Sequence, residues 1–307
     1  MDIVLIALVV VLLAFVYIGL KSSIKIVYPK MKTDEFIEDA RVSYNSYDKK
    51  SYDNLDKKEF FLKSQFGYDI RLTYVKNQVL TEHTIIICHG VTMRTEGVIK
   101  FLDMFLKNGY NALFIDHRAH GKSGGKKVSY GYYEKYDLAK AIQWVRNQHT
   151  GKIGLIGESM GAGISMQTLL VEKVDFIIED CGYSSFDEEV KHQFRRERFI
   201  PVYPSYYFAR LFVYLLGGYD IKKVSPIDAI KQTDIPIMVV HGNKDNYVPF
   251  YMSSIIYKNI KSPNKMLFVA DGTRHALSYE EHPNEYQKQV YKFLKSCNMP
   301  CQKDFVA

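Results

Sequence analysis

A serine set between two glycines constrains this chain more than any other feature. Residues Gly157-Glu158-Ser159-Met160-Gly161 follow an apolar run of strand type, Lys152 to Ile156, and precede an apolar stretch of helical length, Ala162 to Val171. A strand that turns sharply into a helix at a serine lifts that hydroxyl clear of the sheet edge, and side chains two positions to either side would collide across the turn. Gly157 and Gly161 are therefore the elbow positions, and Ser159 is the candidate nucleophile.

Nucleophilic catalysis by serine needs a base and an acid, and both stand in suitable places. Pro236 to Val240 reads as a buried strand that runs into the turn Gly242-Asn243-Lys244-Asp245, and Lys265 to Ala270 reads as a second strand followed by the loop Asp271 to His275. Ser159, Asp245 and His275 thus follow three different strands, as a site on the C-terminal edge of a parallel sheet requires. An earlier strand, Thr84 to Cys88, ends in His89-Gly90-Val91-Thr92. The N–H groups of Met160 and Val91 are the expected oxyanion donors, with His89 a structural residue of that loop. Asp180, after the strand near Ile178, is the rival acid. His282 before Pro283 is placed to open the last helix, His120 reads as structural, and Gly121-Lys122-Ser123 lacks the upstream glycine of a phosphate loop.

Around these motifs, strand-like and helical segments alternate. Phe60 to Leu62 and Ile70 to Val75 flank Gly67 as an antiparallel hairpin, and strands near Ile85, Ala112, Ile153, Ile178, Ile237 and Leu267 predict a doubly wound, mostly parallel sheet. The alternation breaks at residues 182–231, a stretch crowded with aromatics. Phe208, Leu211, Phe212 and Leu215 share one helical face there, which predicts a small helical cap whose Tyr183, Phe208 and Phe212 line an apolar substrate pocket.

The chain resembles the α/β-hydrolases, and among them the membrane-anchored bacterial members of the serine-aminopeptidase and monoglyceride-lipase-like branch. The resemblance runs from about Glu59 to the C-terminus. It is carried by Ile87 to Gly90, Asp116 to Gly125, the segment around Ser159, Val239 to Asp245, Arg274-His275 and the run Tyr130 to Leu138. Two positions depart from the branch: Ala119 stands where glycine is usual, and Thr273-Arg274 where small residues often precede the histidine. The resemblance implies hydrolysis of an ester, thioester or amide.

The N-terminus sets the organisation. Ile3 to Leu20 contains no charge, is long enough as a helix to cross a bilayer core, and is followed by Lys21, Lys25, Lys30 and Lys32. No basic segment precedes it and no small-x-small site follows, which favours an uncleaved single-pass anchor over a signal peptide. The trailing lysines predict a catalytic domain on the cytoplasmic side of the cell membrane. The expected division is anchor and basic flank 1–32, connector 33–58 and hydrolase domain 59–307. Cys88, Cys181, Cys297 and Cys301 read as reduced thiols, and no metal set or cofactor motif accompanies them. The formal charge is +7, but acidic and basic residues interleave, so nucleic acid is excluded as a partner.

These features predict a serine hydrolase that cleaves a carboxylic ester of a small or lipid-like molecule through an acyl-enzyme, without metal or cofactor. Carboxylesterase or lipase chemistry is favoured over peptidase or thioesterase chemistry, because no sequence signal marks an acidic group to hold a substrate amine. The alternative of another class is a non-catalytic, membrane-tethered binding protein, which would have no need of all three candidate residues. The protein is expected to sediment with membranes and to resist carbonate extraction. A shortened mature N-terminus by mass spectrometry would overturn the anchor.

Overall fold

The structure, a computed structural model, describes residues 2–43, 52–197 and 200–301. Residues 44–51 of the expected connector, and Arg198 and Phe199 of the aromatic stretch, lie outside these.

Among the described residues, eight strands make one sheet in the order β1-β2-β4-β3-β5-β6-β7-β8. β1 (Lys57–Lys63) and β2 (Asp69–Val75) form the hairpin, with Phe60 opposite Leu72, and β2 pairs antiparallel with β4 (Asn111–Ile115). β3 (Thr84–Cys88), β4, β5 (Ile153–Glu158), β6 (Phe176–Asp180), β7 (Ile237–Gly242) and β8 (Lys265–Ala270) are mutually parallel. The chain lays β4 on one side of β3 and returns to lay β5 on the other. Crevices for ligands form at the strand ends beside such a reversal.

Alternation along buried strands sorts the core into two layers. Ile85 and Ile87 of β3 face the layer that holds Phe101, Phe105, Tyr286, Val290 and Phe293. Ile86 and Cys88 face Leu138, Ile142, Val145 and Ile164 on the other side. Helix Pro283–Ser296 covers the first face, and helices Glu134–Gln148 and Met160–Thr168 cover the second. The fold is thus a doubly wound, mostly parallel sheet with helices on both faces.

Between β6 and β7 lie helix Phe186–Arg196, helix Val202–Gly217, a short 3-10 turn and helix Pro226–Ile230. Helix Phe186–Arg196 starts on a cap: Ser185 Oγ accepts the Glu188 N–H at 3.2 Å, with acids in the first turn and Arg195 and Arg196 in the last, matching the helix dipole. Phe186, Val190 and Phe194 join Tyr206, Ala209, Val213 and Tyr219 in a third apolar cluster over the sheet edge.

The N-terminal helix Asp2–Val27 is long and apolar enough to cross a membrane. Its large side chains from Ile3 to Leu13 are 46–84% exposed, so this part stands clear of the globule. Its last turns do not. Gly19 lies so close to helix Val202–Gly217 that an added Cβ would come within 2.4 Å of Phe208 Cβ and 2.8 Å of the Ala209 nitrogen. Ser23 and Val27 are fully buried on the same face.

This contact reverses the expected orientation of the cap helix. Its buried face is Ser205, Tyr206, Ala209, Val213 and Gly217, while Leu211 and Leu215 point outward and Phe208 and Phe212 are half-buried. Small residues let two helices approach closely, and a reading based on hydrophobic size passes over them. Gly19→Leu forces a side chain into that crossing and is expected to loosen the cap by about 1–3 kcal/mol. Amide exchange in Val202–Gly217 should speed up by about tenfold or more while β3 and β5 keep their protection. Unchanged exchange in the cap helix would show that the crossing is not needed.

Candidate active site

The elbow is tight enough to explain its glycines. A Cβ on Gly157 would sit 2.4 Å from the Gly161 carbonyl, and one on Gly161 would sit 2.3 Å from the Cys88 oxygen of β3. Ser159 occupies the left-handed side of backbone space (φ 55°, ψ −114°), and its N–H is held by the Asp180 carbonyl at 2.8 Å. A non-glycine residue at positive φ is strained, and such strain gathers at functional sites.

Ser159, His275 and Asp245 come together in one hydrogen-bonded chain. His275 Nε2 lies 2.9 Å from Ser159 Oγ, and His275 Nδ1 lies 2.6 Å from Asp245 Oδ2. The other Asp245 oxygen accepts the N–H groups of Tyr247 (2.8 Å) and Val248 (2.9 Å). A second imidazole, His241, brings Nε2 to 3.2 Å from Asp245 Oδ2 and 2.8 Å from the Val248 carbonyl. Burial alone would raise the Asp245 carboxyl, but hydrogen bonds from His241 and His275 outweigh it and hold the group down at about 2. It is an anion across the physiological range, fixed by four donors.

The rivals fall elsewhere. Asp180 is among the buried carboxyls, pushed up to about 7 by burial and by neighbouring Glu158, and it reaches Ser159 through its backbone. His120 Nε2 accepts the Thr92 N–H at 3.1 Å while its Nδ1 donates to the Arg118 carbonyl, and burial lowers it to about 4. His89 accepts the His117 N–H at Nε2 and donates from Nδ1 to the Gly90 carbonyl at 2.8 Å, so it braces the loop that carries Val91. His282 sits at the N-cap position of helix Pro283–Ser296, with its Nε2 bonded to the Asp271 carbonyl at 3.0 Å and away from the site. Lys122 pairs with Glu59 and Ser123 with the Asp116 carbonyl, which uses up the phosphate-loop mimic in structural bonds. Cys181 Sγ, Asp245 and His275 place ligand atoms within 4.8 Å of one another. Burial drives that thiol far up, so it is neutral, and the two partners are already committed to each other.

Two cavities meet at Ser159. One, of about 590 Å³, runs beneath the cap and is lined by Val91, Met160, Tyr183, Phe186, Val190 and Phe194 among others. The second, of about 510 Å³, lies on the other side, against Phe36, Ile37, Met93, His275 and Leu277. Of the pocket residues expected from sequence, Tyr183 lines the first cavity. Phe208 and Phe212 line neither: Phe208 is turned towards Gly19, because the small-residue face of its helix is the buried one.

Other residues of the site carry no recognisable motif. Lys100 is buried and bonds Glu158 of the elbow, Glu280 at 2.6 Å and the Ala276 carbonyl at 3.3 Å. It ties the segment after Val91, the elbow and the His275 loop together. Burial would lower Lys100, but the two carboxylates outweigh it and keep it charged. Glu189 lies on the wall of the larger cavity, buried and pushed up to about 7 by that burial, with Oε1 bonded to Gln193 and Oε2 without a partner among the described residues. Tyr17, Ile18, Lys21 and Ile26 of the N-terminal helix line the same cavity. The clue available in sequence was the charge at Glu158, beside the nucleophile in a stretch otherwise apolar.

Comparisons with known proteins identify the family. A family model described as serine aminopeptidase, S33, matches residues 81–177. The uncharacterized protein YqkD of Bacillus subtilis (strain 168) is 38% identical over 301 residues, 96% of this chain and 98% of that one. The Xenopus tropicalis lysophosphatidylserine lipase ABHD12 is 24% identical over 177 residues, 52% of this chain and 41% of that one. Among solved structures, the Pyrococcus furiosus esterase Pf2001 superposes with a TM-score of 0.65 at 25% identity, covering 81% of this chain and 95% of that one. With YqkD as a relative along nearly its whole length, the chain belongs to the α/β-hydrolases, in the branch described by the S33 serine-aminopeptidase model.

Proposed function

We propose that this protein is a membrane-anchored serine esterase acting on apolar, lipid-like carboxylic esters. The observation that carries the reading is the chain Asp245–His275–Ser159, with bonds of 2.6 and 2.9 Å ending on a serine in strained backbone. Ser159 Oγ attacks the ester carbonyl carbon while its proton passes to His275 Nε2. Asp245, already anionic, fixes the Nδ1–H tautomer and stabilises the imidazolium. The N–H groups of Met160 and Val91 receive the oxyanion. Collapse returns the proton from His275 to the departing alkoxide, and water, deprotonated by the same imidazole, then releases the acid. The two cavities on either side of Ser159 suit the acyl and alcohol halves of one ester. The esterase and lipase names of similar proteins point the same way. The length and apolarity of the N-terminal helix support an anchoring role, and the trailing lysines favour a catalytic domain on the cytoplasmic face.

One observation favours a second reading, hydrolysis of an aminoacyl amide. Glu189 presents a carboxyl oxygen at the cavity wall that has no partner among the described residues, where a substrate ammonium would find one. Fluorophosphonate labelling and a panel of acyl esters and aminoacyl amides test both. Labelling should vanish in Ser159→Ala and persist in Ser184→Ala, with turnover falling by several orders of magnitude in the first. Equal labelling of the two variants would overturn the nucleophile. Amide turnover exceeding ester turnover would favour the second reading.

The acid is tested by its rival. Asp245→Asn should lower kcat by up to about 10⁴-fold by favouring the wrong tautomer, and Asp180→Asn should do far less. Asp180 should instead report in stability. Its folded-state value of about 7 lies above that of an ordinary carboxyl, so the folded protein holds a proton that the unfolded chain has lost between about pH 4 and 7. Stability therefore falls as pH rises through that window and levels off above it. Asp180→Asn removes this loss, so its Tm relative to wild type should rise by about 5 °C or more from pH 5 to pH 8. A pH-independent Tm difference, or a larger kcat loss than in Asp245→Asn, would overturn the assignment.

A further inference from the structure

The N-terminal helix does two things at once. Its Ile3–Leu13 portion stands free of the globule, and a few residues on, Tyr17 and Ile18 line the cavity that ends at Ser159. The apolar run therefore reaches the substrate cavity instead of stopping short of it. The neighbouring cap helix shares its level. Gly19 meets Phe208 and Ala209, and Val27 meets Gly217, so the two helices run in the same direction at a constant offset. By that offset Val202–Arg210 lies beside the last half of the uncharged run, and Tyr203 sits about 10 Å deeper than the level of Leu20.

The outer face of the cap helix fits this depth. Tyr203, Tyr207, Leu211, Tyr214 and Leu215 are each 49–62% exposed and form one continuous stripe beside the N-terminal helix. Tyrosine suits the boundary between lipid tails and headgroups, with an apolar ring and a polar tip. Lys21 and Lys25 follow the uncharged run within the same helix, and both border the cavity. Cationic side chains at that level meet anionic headgroups.

We propose that this stripe is seated in the bilayer and that the substrate enters the cavity sideways from the leaflet, its acyl chain sliding between Ile18 and Ile26 of the N-terminal helix and Ile200 and Phe194 of the cap. The bilayer is the occupant because the stripe continues the surface of a helix long and apolar enough to span it, and inserting one of two parallel, tightly crossed helices carries the other with it. The N-terminal helix is then a wall of the acyl-binding cavity as well as a tether. The substrate part of this inference rests on the ester-hydrolase reading.

The test uses the full chain in vesicles of phosphatidylcholine and phosphatidylglycerol. In the first arm, Tyr207→Trp is made on a Trp144→Phe background, Trp144 being packed against Phe60 of the edge strand β1 and Tyr74 of β2. Lipids brominated on the acyl chain should quench the fluorescence of the introduced tryptophan about twofold or more and leave wild-type Trp144 unquenched. No quenching would overturn the bilayer contact, and shielding from both bromolipid and aqueous iodide would mean a protein partner and overturn it equally. In the second arm, the rates on 4-methylumbelliferyl oleate and acetate are compared. Ile18→Trp and Ile26→Trp should lower the oleate-to-acetate ratio about tenfold or more, whereas Leu5→Trp, on the free part of the helix, should leave it unchanged. An unchanged ratio in both wall variants, or an equal fall in Leu5→Trp, would overturn lateral entry. Absence of Ser159-dependent hydrolysis of either ester would overturn the ester reading and the substrate route with it, while the quenching arm still decides the bilayer contact.

Discussion

The site depends first on how near one helix end can come to one strand. Helix Met160–Thr168 leaves β5 so close to β3 that neither Gly157 nor Gly161 has room for a Cβ. This nearness brings the start of that helix, with its N–H groups and positive dipole end, up to the loop that follows Cys88. It also bends Ser159 into backbone that costs on the order of 1–3 kcal/mol. The surrounding strands meet that cost through burial: all six residues of β5 and all five of β3 are buried, and β6 beyond them is buried as well. A looser sheet would relax the elbow and lower the hydroxyl.

Charge supplies the second layer of order. Arg71 reaches Asp116, Lys100 reaches Glu158 and Glu280, and His241 joins His275 on Asp245, all in buried surroundings. Such pairs add little to net stability, since desolvation consumes most of the attraction, but losing one partner strands the other. Their effect is directional. Asp116 takes the Thr95 N–H, the Lys122 N–H and the Arg71 guanidinium, and so fixes two loops against β2. Lys100 does the same for the three segments that carry Val91, Ser159 and His275. The loops of the site are held by ionic ties where the sheet has no more backbone bonds to offer.

The sheet was legible because buried parallel strands announce themselves as apolar runs, and the elbow because its glycines have a steric cause. The placement of Asp245 and His275 after their strands followed from the same logic. Lys100 and Glu280 were not legible, since their pairing joins positions 180 residues apart and neither sits in a motif. Phe208 and Phe212 misled for a different reason. Hydrophobic period picks out Phe208, Leu211, Phe212 and Leu215, whereas this helix buries the small residues Ser205, Ala209 and Gly217 together with Tyr206 and Val213. The same narrow contact hid the role of Tyr17 and Ile18, which as residues of an apolar run read only as part of an anchor.

The crossing of Gly19 with Phe208 and Ala209 joins one helix to another made about 190 residues later. At about 5–20 residues per second, synthesis leaves the helix without this partner for roughly 10–40 s. During that interval its inner face is Gly19, Ser23 and Val27, with Ser23 Oγ bonded back to the Leu20 carbonyl. A face so small and locally satisfied offers little for another nascent chain to grip. The residues that permit the tightest contact in the finished molecule are also those that make waiting for it safe.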